Sequence, residues 1–256
     1  MQHLFTPCGE AMLAVTLRQR PLLAFDFDGT LAPIVARPDD ARISRGVSDR
    51  LRALSALLPV AIVTGRSVAD LRSKLDFEPA YVVGNHGAET GFAGAVGAEP
   101  APALDPLRAA LWRQSGELNA LGVTVEDKQL SIALHYRLSR QCPQALATIE
   151  ALLAPFDASL HVFAGKKVVN VSPADAPNKS DAVHALVAHC GARCAIFAGD
   201  DINDEPVFDA APAHWLTVRV GRDDPASRAR FFLDGPNEMA LLLERMLGWL
   251  SSHRQS

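Results

Sequence analysis

The sequence has few cysteines and no long apolar segment. It contains four cysteines in 256 residues, and Cys190 and Cys194, which lie close together, have no second pair to complete a zinc site. We therefore expect reduced thiols in the core or at the surface. No stretch reaches the roughly 18 consecutive apolar residues of a membrane span. The first twenty residues lack the cationic start and apolar core of a signal peptide. These absences favour a soluble, cytoplasmic protein.

The sequence also lacks an excess of positive charge. Twenty-five Lys and Arg residues stand against 29 Asp and Glu residues, which gives a formal net charge of −4. A basic surface for nucleic acid or for an anionic membrane is therefore not expected. We expect a small-molecule partner, no nucleic acid and no membrane contact, and the oligomeric state stays open. A chain of this length can bury one large core, or a core with a smaller second domain.

What the sequence does have is one stretch, residues 22–31, around which the rest is organised. Leu22–Phe25 is an apolar run typical of a strand buried on both faces, and Asp26 and Asp28 follow at its carboxyl end. Carboxylates two residues apart point to the same face, which is costly unless a cation or a proton neutralises them. The pattern predicts a divalent cation at this end of the strand, where ligands of parallel sheets bind. For a single Asp, the turn chemistry of Gly29 would be a sufficient explanation.

The rest of the first hundred residues and the last eighty alternate strands with helices, which predicts a parallel α/β core. The predicted helices cover residues 9–20, 47–58, 67–75, 179–189 and 236–250. The predicted strands cover residues 22–25, 60–63, 81–83, 194–198 and 215–220. Ser67 is the predicted N-cap of the third helix. In the closing helix the residues expected to face inward are Leu241, Leu242, Leu243, Met246 and Leu247.

Two proline-rich joints, residues 99–106 and 172–177, interrupt this alternation. Between them a helix followed by two strands occurs twice, which predicts an inserted α+β layer with two helices on one face of four strands. The first helix is expected to end near residue 121, and the second helix is expected to cover residues 144–153. The expected strands are 123–126, 130–136, 160–163 and 167–171. We expect a core formed by residues 1–101 and 173–256, and a lid formed by residues 102–172.

A second set of carboxylates follows the strand 194–198, at Asp200, Asp201 and Asp204. Together with the first set it could hold Mg²⁺, which prefers oxygen ligands. An aspartate beside such a metal can attack phosphorus and a second one can transfer protons, and Asp26 and Asp28 suit these two roles.

Lys179 could neutralise phosphate charge, and Thr64 could donate its hydroxyl to a phosphate oxygen. Two simpler interpretations stay open, namely that Thr64 caps the helix 67–75 and that Lys179 is a solvated lysine.

Four motifs in this order resemble those of haloacid dehalogenase superfamily phosphatases. They are Phe25-Asp-Phe-Asp-Gly-Thr30, Val63-Thr-Gly65, Asn178-Lys179 and Gly199-Asp-Asp-x-x-Asp204. The resemblance implies an α/β fold, in which a Rossmann-like core with a parallel sheet carries an inserted α+β cap of the C2 type. It implies Asp26 as nucleophile, Asp28 as general acid and base, and Thr64 and Lys179 as phosphate ligands. It implies Mg²⁺ as the cofactor, held by Asp26, the Asp28 carbonyl and Asp200, with Asp201 and Asp204 bound to the metal or next to its ligands.

Further motifs are similar to those of trehalose-6-phosphate phosphatases. They are Leu31-Ala-Pro-Ile34, Thr64-Gly-Arg66, Gly84-Asn-His-Gly-Ala-Glu89, Glu126-x-Lys128, His135-Tyr-Arg137 and Gly165-Lys-Lys-Val168. The resemblance implies hydrolysis of a small-molecule sugar phosphate, trehalose 6-phosphate. The implied substrate-binding residues are Gly65, Arg66, Asn85, His86, Glu126, Lys128, Arg137, Lys166 and Asn170. Of these, Glu126, Lys128 and Lys166 would hold the distal glucose, and Arg137 would approach the phosphate.

The sequence departs from this family at two points and leaves other functions open. Asn170-Val-Ser-Pro173 stands where the family commonly has Glu-Val-Arg-Pro, and Asn203 stands where it commonly has Thr. Another sugar phosphate, such as sucrose 6-phosphate or mannosyl-3-phosphoglycerate, is one alternative, and a non-catalytic sugar-phosphate sensor is another. Glu126, Lys128 and Lys166 could be solvated turn residues, and His135 could be a core or sheet-edge histidine.

Overall fold

The computed structural model describes residues 1–35, 37–90, 100–156, 158–222 and 224–253. The chain divides into two compact units, the first made of Met1–Ala93 and Pro177–Ser256 and the second of Gly94–Ala176. The boundaries expected from the sequence, after residues 101 and 172, lie inside the second unit. Among the helices that the structure describes, none has the combination of length and hydrophobicity that a membrane span requires.

We number the helices and strands of both units in chain order. The strands of the first unit are β1 (Gln2–His3), β2 (Leu22–Phe25), β3 (Val60–Val63), β4 (Tyr81–Gly84), β5 (Glu89–Thr90), β10 (Ala195–Gly199), β11 (Leu216–Val220) and β12 (Phe231–Leu233). Its helices are α1 (Pro7–Arg18), α2 (Arg45–Ser55), α3 (Val68–Arg72), α7 (Lys179–Cys190), α8 (Glu205–Ala210) and α9 (Met239–Ser252). Short 3₁₀ turns lie at Pro38–Asp40, Asn85–Gly87, Ile202–Asp204 and Pro236–Glu238.

The strands of the first unit form one mainly parallel sheet. In the described residues its order is β1-β12-β11-β10-β2-β3-β4-β5, and β5 alone pairs antiparallel, with β4. The strands β2 and β10 are direct neighbours, with Phe25 opposite Ala198. The chain segments that follow these two strands therefore leave the sheet side by side. This arrangement confirms the predicted Rossmann-like α/β core.

Apolar residues cover both faces of this sheet, which explains the uninterrupted apolar runs of its central strands. Side chains alternate along β2, so that Leu23 and Phe25 pack with α1, α2 and α9 on one face. Leu22 and Ala24 pack with α7 and α8 on the other face. The site residues that follow β2 and β10 are thus attached to strands held from both sides.

Several details of the first unit differ from the expectations. The strands β1, β5 and β12 were not predicted, because two or three residues carry no readable alternation. Leu241 is 39% exposed, so its expected inward position is wrong, whereas Met239 and Leu250 are buried in the core.

The second unit, taken by itself, is an α+β layer. Its helices are α4 (Asp105–Arg113), α5 (Ser115–Ala120) and α6 (Cys142–Leu153), and its strands are β6 (Thr124–Asp127), β7 (Ile132–His135), β8 (Leu160–Gly165) and β9 (Val168–Pro173). The sheet order in the described residues is β6-β7-β9-β8, with every pair antiparallel. The first predicted helix is in fact two, because the backbone leaves the helical conformation at Gln114.

One face of this sheet is apolar and the other is polar. Ile132 and Leu134 of β7 pack with Val169 and Val171 of β9 against the helices. Residues at alternate positions, among them Ala133 and Asn170, lie on the opposite face. The predicted arrangement of helices on one face is therefore confirmed, and the other face carries the polar side chains.

Candidate active site

Acidic side chains meet where β2 and β10 end. Asp26 follows β2, Asp200 follows β10, and the Asp26 amide donates to the Ala198 carbonyl at 2.9 Å, which extends the parallel pairing by one residue. Asp204 comes from the 3₁₀ turn Ile202–Asp204. Among the described residues, one carboxylate oxygen from each of Asp26, Asp200 and Asp204 lies within 4.8 Å of the others, and all three residues are buried. The expected meeting of the two acidic motifs is therefore observed for these three residues.

Backbone and hydroxyl groups hold these carboxylates in place. Asp204 Oδ2 accepts hydrogen bonds from the amides of Asp200 at 2.9 Å and Asp201 at 3.1 Å. The Thr30 hydroxyl donates to Asp200 Oδ1 at 3.4 Å. Gly29 has a φ of 86°, a conformation that glycine adopts without steric cost, and this allows the chain to turn after Asp28. The loop sequence Asp-Gly-Thr thus shapes the site as well as supplying it with an acid.

Lys179 places a positive charge among the carboxylates. Its ammonium group lies 2.7 Å from Asp26 Oδ1 and 2.7 Å from Asp204 Oδ1, and the residue is 2% exposed. Lys179 is the first residue of α7, which Asn178 caps by accepting from the amides of Ser180 and Asp181. The interpretation of Lys179 as a solvated lysine is wrong.

Burial governs the proton affinities of this cluster. Burial raises the pKa of Asp26; Lys179 lowers it, but Asp204 and Asp200 raise it again, so the net shift is upward. Burial lowers the pKa of Lys179, but the charges of Asp204 and Asp26 outweigh this effect and the pKa is raised. Three buried acids beside one lysine leave excess negative charge, and a hard divalent cation with oxygen ligands would neutralise it. The residues present therefore fit a magnesium ion.

The end of β3 supplies Thr64, Gly65 and Arg66. Thr64 is 1% exposed, and its hydroxyl oxygen accepts from the Arg66 amide at 3.2 Å. The side chain that caps α3 is Ser67, which accepts from the Asp70 amide, so the interpretation of Thr64 as the helix cap is wrong. Thr64 thus lies at the carboxyl end of β3, which is separated from β10 in the sheet by one strand, β2.

The turn after β4 brings Asn85 and His86 next to this segment. Both residues have a positive φ, 50° and 57°, which is uncommon for residues other than glycine. The side-chain amide of Asn85 donates to Glu89 Oε2 at 2.8 Å, and the same oxygen accepts from the backbone amide of Val68. A Cβ atom on Gly65 would lie 2.2 Å from His86 Cε1, so only glycine lets the imidazole approach here. The predicted residues Gly65, Asn85 and His86 therefore pack as one group.

Asp28 is directed to Arg66 and lies outside the group of three carboxylates. Arg66 Nε and Nη2 lie 2.7 and 2.8 Å from the two Asp28 carboxylate oxygens. The Arg66 side chain is 9% exposed, and its guanidinium group also contacts Asp70 and the Pro38 carbonyl at 2.6 and 2.8 Å. The sequence motifs predicted both residues as site residues, but no sequence signal indicated that they pair.

Asp201 and Asn203 belong to the 3₁₀ turn beside the cluster. Asp201 Oδ1 accepts from the Ile202 amide at 2.9 Å, and the Asp201 and Asp204 side chains form a reciprocal cap of the turn. Asn203 Oδ1 is buried, and among the described residues it has no hydrogen-bond partner. Asp201 therefore stabilises the turn that positions Asp204.

In the second unit, several predicted substrate-binding residues gather on the polar face of the sheet. The register places Glu126 opposite Ala133, which is opposite Asn170, so these side chains share one face. Glu126 Oε2 lies 2.9 Å from His135 Nε2 and 3.8 Å from Lys128 Nζ. The Lys128 side chain is 9% exposed, so its interpretation as a solvated turn residue is wrong. His135 lies on a strand, but it bonds to Glu126, a contact that sequence reasoning missed.

The turn between β8 and β9 is tied to the same unit. Arg137 Nη2 donates to the Lys166 carbonyl at 2.8 Å, and the Tyr136 amide donates to the Lys167 carbonyl at 3.1 Å. Asn170 is 4% exposed, and it lies opposite Phe163 of β8 in the register. The turn that carries Lys166 is therefore fastened to the segment that carries Arg137.

Comparisons with known proteins agree with this geometry. Residues 24–236 match the family model of trehalose-phosphatase. The trehalose-phosphate phosphatase of Mycobacterium avium (strain 104) is 33% identical over 243 residues, which are 89% of this chain and 62% of the relative. The chain thus spans less than two thirds of the length of this relative.

Solved structures share the fold over nearly the whole chain. A trehalose-6-phosphate phosphatase related protein is 26% identical with a TM-score of 0.72, and the match covers 89% of this chain and 98% of that one. The C-terminal domain of the C. albicans trehalose-6-phosphate phosphatase has a TM-score of 0.79 at 23% identity, covers 93% of this chain and 96% of that one, and shows the fold alone. Since the family model covers most of the sequence, the chain belongs to the trehalose-phosphatase family.

Proposed function

We propose that this chain hydrolyses trehalose 6-phosphate to trehalose and phosphate through an aspartyl phosphate on Asp26. The observation that carries the proposal is the buried group of Asp26, Asp200 and Asp204, in which Lys179 forms ion pairs with Asp26 and Asp204. A group with this much buried charge is expensive to maintain, so it favours a functional role over a packing role.

The residues that would hold Mg²⁺ are Asp26, Asp200 and the Asp28 carbonyl. Both Asp204 oxygens already accept hydrogen bonds, from Lys179 and from two amides, which supports an orienting role for Asp204. Asp201 has a similar role, because it caps the same turn. When bound, Mg²⁺ neutralises charge on the phosphate and on the carboxylates.

The protein groups divide the reaction into two steps. An Asp26 oxygen attacks phosphorus, the bond between phosphorus and the sugar oxygen breaks, and Asp28 gives its proton to that oxygen. Asp28 then takes a proton from water, the water oxygen attacks phosphorus, and the bond to Asp26 breaks. Lys179 and Thr64 bind the phosphate oxygens, with Lys179 holding the Asp26 carboxylate at 2.7 Å in the orientation for attack.

Sugar recognition is assigned to residues of both units. In the first unit the proposed contacts are Gly65, Arg66, Asn85 and His86. In the second unit Glu126 and Lys128 offer an acceptor and a donor side by side on the polar face of the sheet, as sugar hydroxyls require. Arg137, Lys166 and Asn170 complete the set, and we propose that the second unit acts as a lid of the C2 cap type.

A panel of sugar phosphates assayed with Mg²⁺ tests the substrate. We expect trehalose 6-phosphate to give a kcat/KM at least about tenfold above that of glucose 6-phosphate, because only the disaccharide offers a second sugar ring for recognition. Equal values would reject trehalose 6-phosphate as the substrate. Preference for sucrose 6-phosphate or mannosyl-3-phosphoglycerate would favour the alternative for which the uncharged Asn170 leaves room.

The Asp26→Asn variant tests the chemistry. We expect it to fold normally and to release no phosphate, because an amide oxygen is a poor nucleophile. Undiminished release would contradict the mechanism. If the unchanged protein released no phosphate from any sugar phosphate, the sensor function would be favoured instead. The presence of Asp26 argues against that function, because a sensor does not need a nucleophile.

A further inference from the structure

Arg66 connects Asp28, the proposed proton donor, to Asp70, an acid to which the proposed mechanism gives no role. Its guanidinium group binds both Asp28 oxygens, at 2.7 and 2.8 Å, and binds Asp70 Oδ2 at 2.6 Å on another nitrogen. The same group lies 5.4 Å from the centre of the buried Phe27 ring. Arg66 is therefore fixed from several directions, whereas the Asp28 side chain is 40% exposed and depends on Arg66 for its orientation.

Asp70 in turn is fixed by the start of α3 and by a second cation. The Asp70 amide donates to Ser67 Oγ at 3.2 Å, which places the residue in the first turn of the helix. Asp70 Oδ1 lies 3.2 Å from the ammonium group of Lys74, whose side chain is 3% exposed. Each Asp70 oxygen thus faces its own cation, and the carboxylate has a single well-defined position between them.

We infer that Asp70 is a positioning residue for the reaction, which acts through Arg66 to orient the Asp28 carboxyl group toward the leaving oxygen. The inference rests on the proposed function, in which Asp28 gives a proton to that oxygen. A displacement of about an ångström in a group that transfers protons is enough to lower the rate substantially. The two contacts from Asp28 to Arg66 and from Arg66 to Asp70 carry this dependence over one intermediate side chain.

A purely structural role for Asp70 makes a different prediction. Arg66 and Lys74 also bind the carbonyls of Pro38 and Asp39, at 2.8 and 3.4 Å, so the network could serve only to anchor this turn. In that case removal of the Asp70 charge would affect every substrate equally. In the positioning role the effect depends on how much the leaving group needs a proton.

Asp70→Asn, assayed on three phosphate esters, distinguishes these roles. The esters are 4-nitrophenyl phosphate, whose product leaves as a stable anion, phenyl phosphate, whose product is a poorer leaving group, and trehalose 6-phosphate, whose alkoxide needs a proton. The quantity to compare is kcat/KM, because later hydrolysis of the aspartyl phosphate does not enter it once the alcohol has departed. Ratios between esters do not depend on the fraction of folded protein, so modest destabilisation leaves the test valid.

We expect Asp70→Asn to lower kcat/KM for phenyl phosphate and trehalose 6-phosphate about tenfold or more, and to leave 4-nitrophenyl phosphate within about twofold. Asp28→Asn should show the same pattern with a larger loss. Asp49→Asn, which removes an acid from an exposed pair with Arg52 at 2.9 Å, is the matched control and should change none of the three values.

The remaining outcomes would overturn the inference. An equal fall for all three esters would assign Asp70 to the fold, a fall for trehalose 6-phosphate alone would assign the network to sugar binding, and no fall would remove its role. If Asp28→Asn itself showed no dependence on the leaving group, the assignment of Asp28 as the acid would fail first. If Asp28→Asn showed it and Asp70→Asn did not, the inference alone would fail.

Discussion

The Asp200 carboxylate occupies the space that a side chain on Gly29 would need. A Cβ atom on Gly29 would lie 2.0 Å from Asp200 Oδ2 and 2.4 Å from Asp200 Cγ. The two residues belong to loops after β2 and β10, so the absence of a side chain at one strand end sets the position of an acid at the other.

Gly29→Ala should therefore abolish activity, because Asp200 must move to accept the methyl group. We expect phosphate release to fall by about a hundredfold or more, as displacement of about an ångström at a catalytic centre can cause. The backbone strain of alanine at φ 86° should cost about 1 kcal/mol of unfolding free energy. Urea denaturation and a phosphate-release assay measure the two effects separately.

Gly191→Ala is the control for this substitution. Gly191 also has a positive φ, 69°, at the end of α7, but a Cβ atom there would meet nothing within 4 Å. It should show the same loss of stability with full activity. Retained activity in Gly29→Ala would show that the site tolerates a displaced Asp200.

Lys179→Met should destabilise the first unit as well as inactivate it. The substitution leaves Asp26 and Asp204 buried without the ammonium group that lies 2.7 Å from each. Removal of one partner of a buried ion pair costs about 3 kcal/mol or more. Urea denaturation provides the measurement, with Lys167→Met, at an exposed position, as the control. Unchanged stability would contradict the stabilising role of this ammonium group.

Addition of Mg²⁺ should raise the unfolding temperature, because a ligand that binds only the folded state stabilises it. Chelation by EDTA should abolish phosphate release, and Mg²⁺ should restore it. In Asp200→Asn the thermal shift should disappear, since the variant loses one of the proposed ligands. Asp209→Asn, which alters an exposed acid of the same unit, should keep the full shift. An undiminished shift in Asp200→Asn would place the ion elsewhere.

Cys194 should resist thiol reagents while the protein is folded. Burial raises the pKa of its thiol to about 11, so the reactive thiolate is scarce at pH 8. Cys8 is exposed and should react at once, whereas Cys142 and Cys190 are half-buried. Spectroscopic counting with 5,5′-dithiobis(2-nitrobenzoate), before and after unfolding in urea, provides the measurement. Rapid modification of Cys194 at pH 8 would contradict its buried environment.

Local patterns were sufficient to predict the central strands and the convergence of the acids. The strands β2 and β3 are continuous apolar runs because both faces of the sheet are covered, and such runs are readable without a structure. The meeting of Asp26 and Asp200 follows from a general property of parallel sheets, in which ligands bind at the carboxyl ends of the strands. The burial of Lys179 was not predictable in this way, because it depends on the ion pairs that surround the ammonium group.

Contacts between side chains from separate loops were out of reach of sequence reasoning. The pair of Arg66 and Asp28 requires the turn after β3 to approach the loop after β2, and no periodicity records that approach. The bond between Glu126 and His135 depends on the register of β6 and β7. Leu241 was assigned inward from its position in an apolar run, but the rotation of α9 about its axis is decided by packing against neighbouring helices.

The strand order also has a consequence for how the protein is made. The neighbour of β2 in the sheet is β10, so the acids that follow these strands, Asp26 and Asp200, are far apart in the sequence. During synthesis Asp26 is made before Lys179 and Asp200, so its contacts with them form only later. The second unit lies wholly between them and is contiguous in sequence. A nascent chain therefore contains the whole second unit before Lys179 and Asp200 are made, so the group of buried acids can assemble only after the second unit has been synthesised.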